Sequence, residues 1–197
     1  RPAHGQGMPG AAGPVTSFRA FVAVDVECGP HLQEAIAELK AYGKALKPVS
    51  PANVHVTLKF LGEIYERTVP DIESVMRHAV TGVLPFQLRL VDVGVFPNER
   101  SPRVVWVGME GTEPLVKMAA SLEEGCEPLG FPRESRSFSP HLTLARVREG
   151  FRPDVGEFLR RHQGQDLGSF KVERIKLKKS VLTPAGPIYS DITAVEL

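Results

Sequence analysis

Apolar residues recur along this chain with two different periods. FRAFVAVDV, from Phe18, is apolar at almost every position and predicts a central strand covered on both faces. Gly29–Pro30 breaks it. Leu32, Ala35, Ile36 and Leu39 then follow at helical spacing, with Pro30 suited to the first turn. After a loop over 47–53, His55–Leu61 alternates as a strand, and Val69, Ile72, Val75, Met76 and Ala79 form a second helical stripe. Phe86–Phe96 reads as a long strand whose alternation slips between Leu90 and Val91, which predicts a bulge. Arg103–Gly108 is a further strand, holding the only tryptophan, Trp106. Leu115, Met118, Ala119, Leu122 and Cys126 give a third helix face, closed by Gly130. His141–Val147 is predicted as a strand, Asp154–Arg160 as a short helix, and Phe170–Ser180 and Ile188–Val195 as the last strands, around a turn at Thr183–Pro187. Helices alternate with strands that are often hairpin neighbours. This predicts an α+β fold with mixed or antiparallel sheets, not a doubly wound parallel sheet.

The 197 residues fit one domain of upper ordinary size or two small fused halves. No apolar run approaches the roughly 20 residues of a membrane span. The formal net charge of +1 excludes a polybasic wrapper of nucleic acid, so any nucleic-acid partner is gripped locally. Cys28 and Cys126 make neither a zinc cluster nor a disulfide framework, and a reducing, cytoplasmic setting is expected. Cys126, on an apolar helix face, reads as a buried small hydrophobe. Residues 1–17 contain seven Gly or Pro and no aromatic residue. They are expected to be a disordered tail or an appended segment, with Met8 a candidate start and His4 of no functional weight.

The chemistry lies in a repeat. His55-Val-Thr57-Leu58 and His141-Leu-Thr143-Leu144 share the pattern His-x-Thr-Leu, each with a proline close before it and 86 residues apart. Strand alternation points His55 and Thr57 to one face and His141 and Thr143 to one face, opposite the apolar pairs. Two lobes facing one another across a cleft would bring both pairs together. Two imidazoles suit proton transfer near neutrality, one as base to an incoming nucleophile and one as acid to a leaving oxygen. The threonine hydroxyls can donate to phosphate oxygens. No carboxylate or thiolate keeps regular spacing with them, so neither metal nor cofactor is expected. His31, His78 and His162 are assigned to structure. Lys59 has the parity to share the His55 face and is an electrostatic candidate for substrate binding, with Ala145 at the equivalent site of the second motif. Arg146 is a further substrate-binding candidate, but strict alternation sends it to the apolar face, so either the strand ends or twists before it or it is a structural or rim residue. Arg136 and Phe138, just before the second motif, are candidates for contact with a phosphate or a base, although Phe138 equally suits the core. Two basic stretches, Lys171–Lys179 and Arg133–Arg148, are candidates to follow an RNA backbone.

These motifs, with RAFVAVD at 19–25, HVTLKFLGE at 55–63, GVFPNERSPRVVWVG at 94–108, RSFSPHLTLARV at 136–147 and SVLTPAGPIYS at 180–190, resemble the RNA 2',3'-cyclic phosphodiesterase family. Its members are also called 2'-5' RNA ligases, within the two-histidine phosphoesterase superfamily. The resemblance implies one domain over 18–197, with two pseudosymmetric α+β lobes, antiparallel sheets lining a central groove and helices outside. It implies metal-independent hydrolysis of a 2',3'-cyclic phosphate end to a 2'-phosphate, with His55 as general acid, His141 as general base, Thr57 and Thr143 on the phosphate, and Arg146 recurring after the second motif. Ligation by a 5'-hydroxyl in place of water is expected only as a side activity. Partners are RNA with a cyclic phosphate end or a small cyclic nucleotide. A monomer is expected, without an obligate protein partner or a membrane. The alternatives are a noncatalytic RNA- or nucleotide-binding module and a 2'-5' oligonucleotide phosphodiesterase.

Overall fold

The computed structural model describes residues 14–197, so His4 and most of the predicted tail lie outside it. Strand β1 (Ser17–Asp25) opens one residue before the expected start, because Ser17 pairs with Tyr65 and its hydroxyl donates to Glu63 (3.1 Å). The chain continues through α1 (Pro30–Lys40), β2 (Leu46–Pro48), β3 (His55–Tyr65), α2 (Val69–Ala79), β4 (Phe86–Phe96), β5 (Val104–Glu110) and α3 (Glu113–Cys126). Then come β6 (Leu142–Val147), α4 (Gly156–His162), β7 (Asp166–Val172), β8 (Arg174–Thr183) and β9 (Gly186–Glu196). The strands form two antiparallel sheets, β3-β1-β8-β9 and β2-β6-β5-β4-β7.

Two expectations need correction. The predicted loop at 47–53 begins inside the short edge strand β2, whose Lys47 pairs with Arg146. The single strand expected over Phe170–Ser180 is two strands in different sheets, β7 and β8. Its apolar parity had already slipped: Phe170 and Val172 are buried at even positions, Ile175 and Leu177 at odd ones. The anticipated slip in β4 is a bulge, with Asp92 unpaired between Val91 and Val93 and held at φ 68°.

The helices cover the sheets crosswise. α1 leaves β1 of the four-stranded sheet and packs on β2, β6 and β7 of the five-stranded one. α3 leaves β5 of the five-stranded sheet and packs, beside α2, on β3 of the other. Helix α2 also reaches β9, and α4 lies on β4. Buried residues of both sheets and all four helices form one continuous cluster. Cys126 lies fully inside it, and burial pushes its thiol up, as suits an inert packing residue.

Lys59 belongs to this scaffold. It does not share the His55 face. Thr57 pairs with Ala23 and Lys59 with the adjacent Val22, so Leu58 is an extra residue and the strand's parity reverses after it. Lys59 is therefore only 2% exposed. Its Nζ meets Glu123 of α3 at 2.9 Å and donates to the carbonyl of Pro132 at 2.7 Å. The same Glu123 accepts from the Glu134 amide (2.9 Å), so the pair ties β3 to α3 and to the segment leading to the second motif. Removing the carboxylate strands a buried ammonium. Glu123→Ala is expected to lower stability by about 3 kcal/mol, read from urea unfolding, and Lys59→Met by much less. Equal losses in the two variants would overturn this account.

Candidate active site

Each motif histidine is fixed by the backbone just before it. His55 Nδ1 lies 2.7 Å from the carbonyl of Asn53, and His141 Nδ1 lies 2.9 Å from the carbonyl of Ser139. A carbonyl can only accept, so in both rings Nδ1 carries the proton and donates it. Nε2 is left free to take or give a proton. The local sequence builds this clamp twice, because the residue two before each histidine sits in the proline-containing segment that turns the chain into the strand: Pro51–Asn53 is a 3-10 turn, and Ser139–Pro140 leads into β6.

The strand after each histidine carries the same irregularity. As Leu58 interrupts β3, Leu144 interrupts β6: Thr143 pairs with Trp106, and Ala145 pairs with the adjacent Val105. Both leucines are buried, and so is the residue that follows each, Lys59 or Ala145. Parity is thereby restored one residue later. Phe60, 63% exposed, returns to the His55 face, with its ring 6.3 Å from Phe21. Arg146, exposed, returns to the side of His141 and Thr143. Of the alternatives for Arg146, the break in alternation before it is the one the structure contains, and the corresponding positions of the two strands are Phe60 and Arg146, not Lys59 and Ala145.

Aromatic rings wall both histidines. The His55 ring lies 5.0 Å from Phe21 and 5.2 Å, edge-on, from Tyr189. His141 meets Phe96 edge-on at 5.4 Å, and Phe96 meets Trp106 at 5.4 Å. Tyr189 was not singled out from the sequence, although it lies in the SVLTPAGPIYS segment and shares strand parity with Asp191. Burial raises its phenol, and the charges of Arg146 and Lys178 oppose that rise. Tyr189 therefore stands beside His55 of one sheet and within the field of Arg146 of the other, which brings the two motif strands to one groove. The β8–β9 hairpin carries it there: the Gly186 position approaches the Lys47 side chain of β2, across the groove.

Burial lowers the pKa of His55, with Lys178 adding to the effect; the hydrogen bond to Asn53 and the charge of Asp25 act the other way. Lys178 and Asp25 belong to a closed quartet on the same sheet face. Lys176 Nζ lies 2.7 Å from both Asp25 and Asp191, and Lys178 lies 2.7 Å from Asp25 and 2.9 Å from Asp191. Burial raises the Asp25 carboxyl, but the two lysines outweigh it and hold the acid low. Asp191 is held low chiefly by its hydrogen bond from Lys176. Most of the basic stretch at 171–179 is accordingly neutralised, since Arg174 also pairs with Glu196 (2.7 Å) and Lys171 with Glu173 (3.7 Å). In the second stretch Arg133 pairs with Glu127, whereas Arg136, Arg146 and Arg148 form no ion pair among the described residues. Arg136 is exposed near the second motif; Phe138 is half-buried and packs against the core, which favours its structural reading. His162 is buried between Glu38 (2.9 Å) and Gln165 (2.5 Å), and His31 and His78 are exposed on helices.

Among the described residues no group of three or more His, Cys, Asp or Glu is arranged to hold a metal ion, and no helix is long and apolar enough to cross a membrane. The two motif strands carry two imidazoles whose Nε2 atoms have no polar partner among the described residues, and a guanidinium at Arg146 that has none among them either. That set can move protons on both sides of a phosphoryl group.

Known proteins resemble this chain over nearly its whole length. The RNA 2',3'-cyclic phosphodiesterase of Methanothermobacter thermautotrophicus is 40% identical over 182 residues, covering 91% of this chain and 98% of the relative. The protein of the same name from Archaeoglobus fulgidus is 38% identical over 181 residues, covering 91% and 100%. The crystal structure of TT0787 of Thermus thermophilus superposes with a TM-score of 0.72 at 32% identity, covering 91% and 97%. That of E. coli LigT complexed with 3'-AMP does so with a TM-score of 0.71 at 26% identity, covering 92% and 99%. Residues 29–180 match the 2'-5' RNA ligase superfamily, and the chain belongs to that family.

Proposed function

We propose that the protein hydrolyses the 2',3'-cyclic phosphate end of RNA to a 2'-phosphate, using His55 and His141 as a proton-transfer pair and no metal. The observation that carries this reading is the doubled clamp: two imidazoles in one groove, each with Nδ1–H tied to a main-chain carbonyl and Nε2 free. The named relatives, 40% and 38% identical, support the substrate.

In this mechanism the cyclic phosphate sits between the motifs. Thr57 and Thr143 donate to its non-bridging oxygens, and the Arg146 guanidinium offsets charge that builds there in the transition state. His141 Nε2 takes a proton from water as the water oxygen bonds to phosphorus. The bond from phosphorus to O3' breaks, and His55 Nε2–H gives its proton to O3'. The product keeps the phosphate on O2' and gains a 3'-hydroxyl. The buried setting of His55 suits the acid role, because a proton held on a desolvated imidazole is readily surrendered. A 5'-hydroxyl replacing water would give the 2'-5' linkage by the same steps. Arg136 and Arg148 stand free to meet the approaching strand, which favours an RNA path along the side of the second motif.

An RNA oligonucleotide ending in a 2',3'-cyclic phosphate is expected to yield only the 2'-phosphate in excess EDTA. His55→Ala and His141→Ala should each lower kcat/KM by about 10²–10⁴-fold. A better leaving group should rescue His55→Ala and not His141→Ala. No turnover by folded wild type, or equal rescue of both variants, would reject the mechanism.

The electrostatics of His55 give a second test. As the acid it must start protonated, so activity should fall as pH rises through its pKa, which lies below the ordinary value of about 6.5. Asp25→Asn removes a charge that favours the imidazolium and should move this alkaline limb to lower pH. Lys178→Met removes an opposing charge and should move it to higher pH. A limb that stays fixed in both variants, or shifts in the reverse sense, counts against His55 as the acid.

A further inference from the structure

An open cavity of about 490 Å3 lies at the edge of β4, apart from the motif residues. It exists because β7 pairs with β4 only as far as Val91. Beyond the Asp92 bulge β4 has no second partner strand, and the chain after α4 is tied to β4 at Asp92, whose amide donates to the Gln165 carbonyl (3.0 Å) and whose carboxylate accepts from the Gly164 amide (3.0 Å). Gly94, Trp106, Asn98 and Glu99 line one side of the cavity, and Arg160 and Gln163 line the other.

Trp106 links this cavity to the groove. It stands opposite Thr143 in the strand register, and its ring meets Phe96, which in turn meets His141. From β5 the indole crosses over β4 at Gly94, where a Cβ would fall 2.2 Å from the ring, so only glycine permits the crossing. Packing alone does not account for a tryptophan here. Its Nε1 is buried without an acceptor among the described residues, and phenylalanine would avoid that penalty. What the indole adds is reach: a continuous aromatic floor from His141 through Phe96 to the cavity. The far end lies two strand spacings from β6, about 10 Å, farther than one sugar separates a base from its own phosphate. Arg160 and Glu99 are exposed there and form no ion pair among the described residues.

We propose that this cavity holds the nucleotide immediately 5' of the one that bears the cyclic phosphate, with its base against Trp106 and the phosphate that links the two toward Arg160. The proposal rests on the phosphodiesterase reading and extends it: the protein senses that its substrate is a chain end and not a free cyclic mononucleotide. An aromatic face with a guanidinium in reach is a pairing that single-stranded RNA selects, and the Glu99 carboxylate on the other side of the cavity turns a phosphate toward Arg160.

Trp106 is the only tryptophan, so its fluorescence reports on the cavity directly. The intact protein would be titrated with uridine 3'-phosphate and with adenylyl-uridine 3'-phosphate. The dinucleotide is expected to bind about tenfold more tightly, within the range that one stacked base contributes. Arg160→Ala, at an exposed position, should shrink that ratio to about threefold or less and lower the salt slope of dinucleotide binding by about 0.7. Trp106→Phe, followed by calorimetry, should shrink the ratio too. Equal affinities for the two probes in wild type, or an equal weakening of both by Arg160→Ala, would overturn the proposal. These titrations need no turnover. Hydrolysis of uridine 2',3'-cyclic phosphate, measured alongside, decides the phosphodiesterase reading separately.

Discussion

An extra residue placed directly after the threonine of each motif governs which side chains face the groove. A strand allots alternate side chains to opposite faces, so a bulge directly after the threonine exchanges the faces of the residues that follow it; in β3 a second extra residue, Leu61, exchanges them again beyond Phe60. Leu58 and Leu144 are those extra residues, and both are buried. Before them, His and Thr look into the groove. After them, Phe60 and Arg146 do so, while Lys59 and Ala145 turn to the core. Without the bulge in β6 the guanidinium would point into packed hydrocarbon. Without the bulge in β3 the ammonium of Lys59 would lose Glu123 and crowd His55 with a second positive charge.

Charge is distributed unequally between the two walls. On the sheet that carries His55, lysines and aspartates cancel in a compact quartet, so the imidazole feels balanced neighbours as well as its own desolvation. On the sheet that carries His141, the arginines nearest the motif are left unpaired. A net charge of +1 therefore coexists with arginines beside the second motif that form no ion pair among the described residues.

Much of this was legible in the sequence. The helices appeared from their apolar stripes because their packing is regular, and the two histidine motifs appeared because the repeat is long-range and polar. What escaped depended on pairing. The burial of Lys59 and the exposure of Arg146 follow from register shifts that no single strand displays. The split of β7 from β8 left a trace in the apolar parity, yet a change of sheet is a tertiary event. Tyr189 and the quartet at Asp25 required knowing that the terminal hairpin folds back beside β1. Phe138, near the second motif, is half-buried and packs against the core on one side.

The crosswise packing of α1 and α3 gives the two lobes a shared fate. Each sheet is covered in part by a helix whose preceding strand belongs to the other sheet, and the buried residues form one cluster. The two histidine strands are therefore held by packing that each sheet shares with the other. The spacing across the groove is then a property of the core and not of a hinge. The duplication visible in the motifs has become, in folded form, an indivisible object.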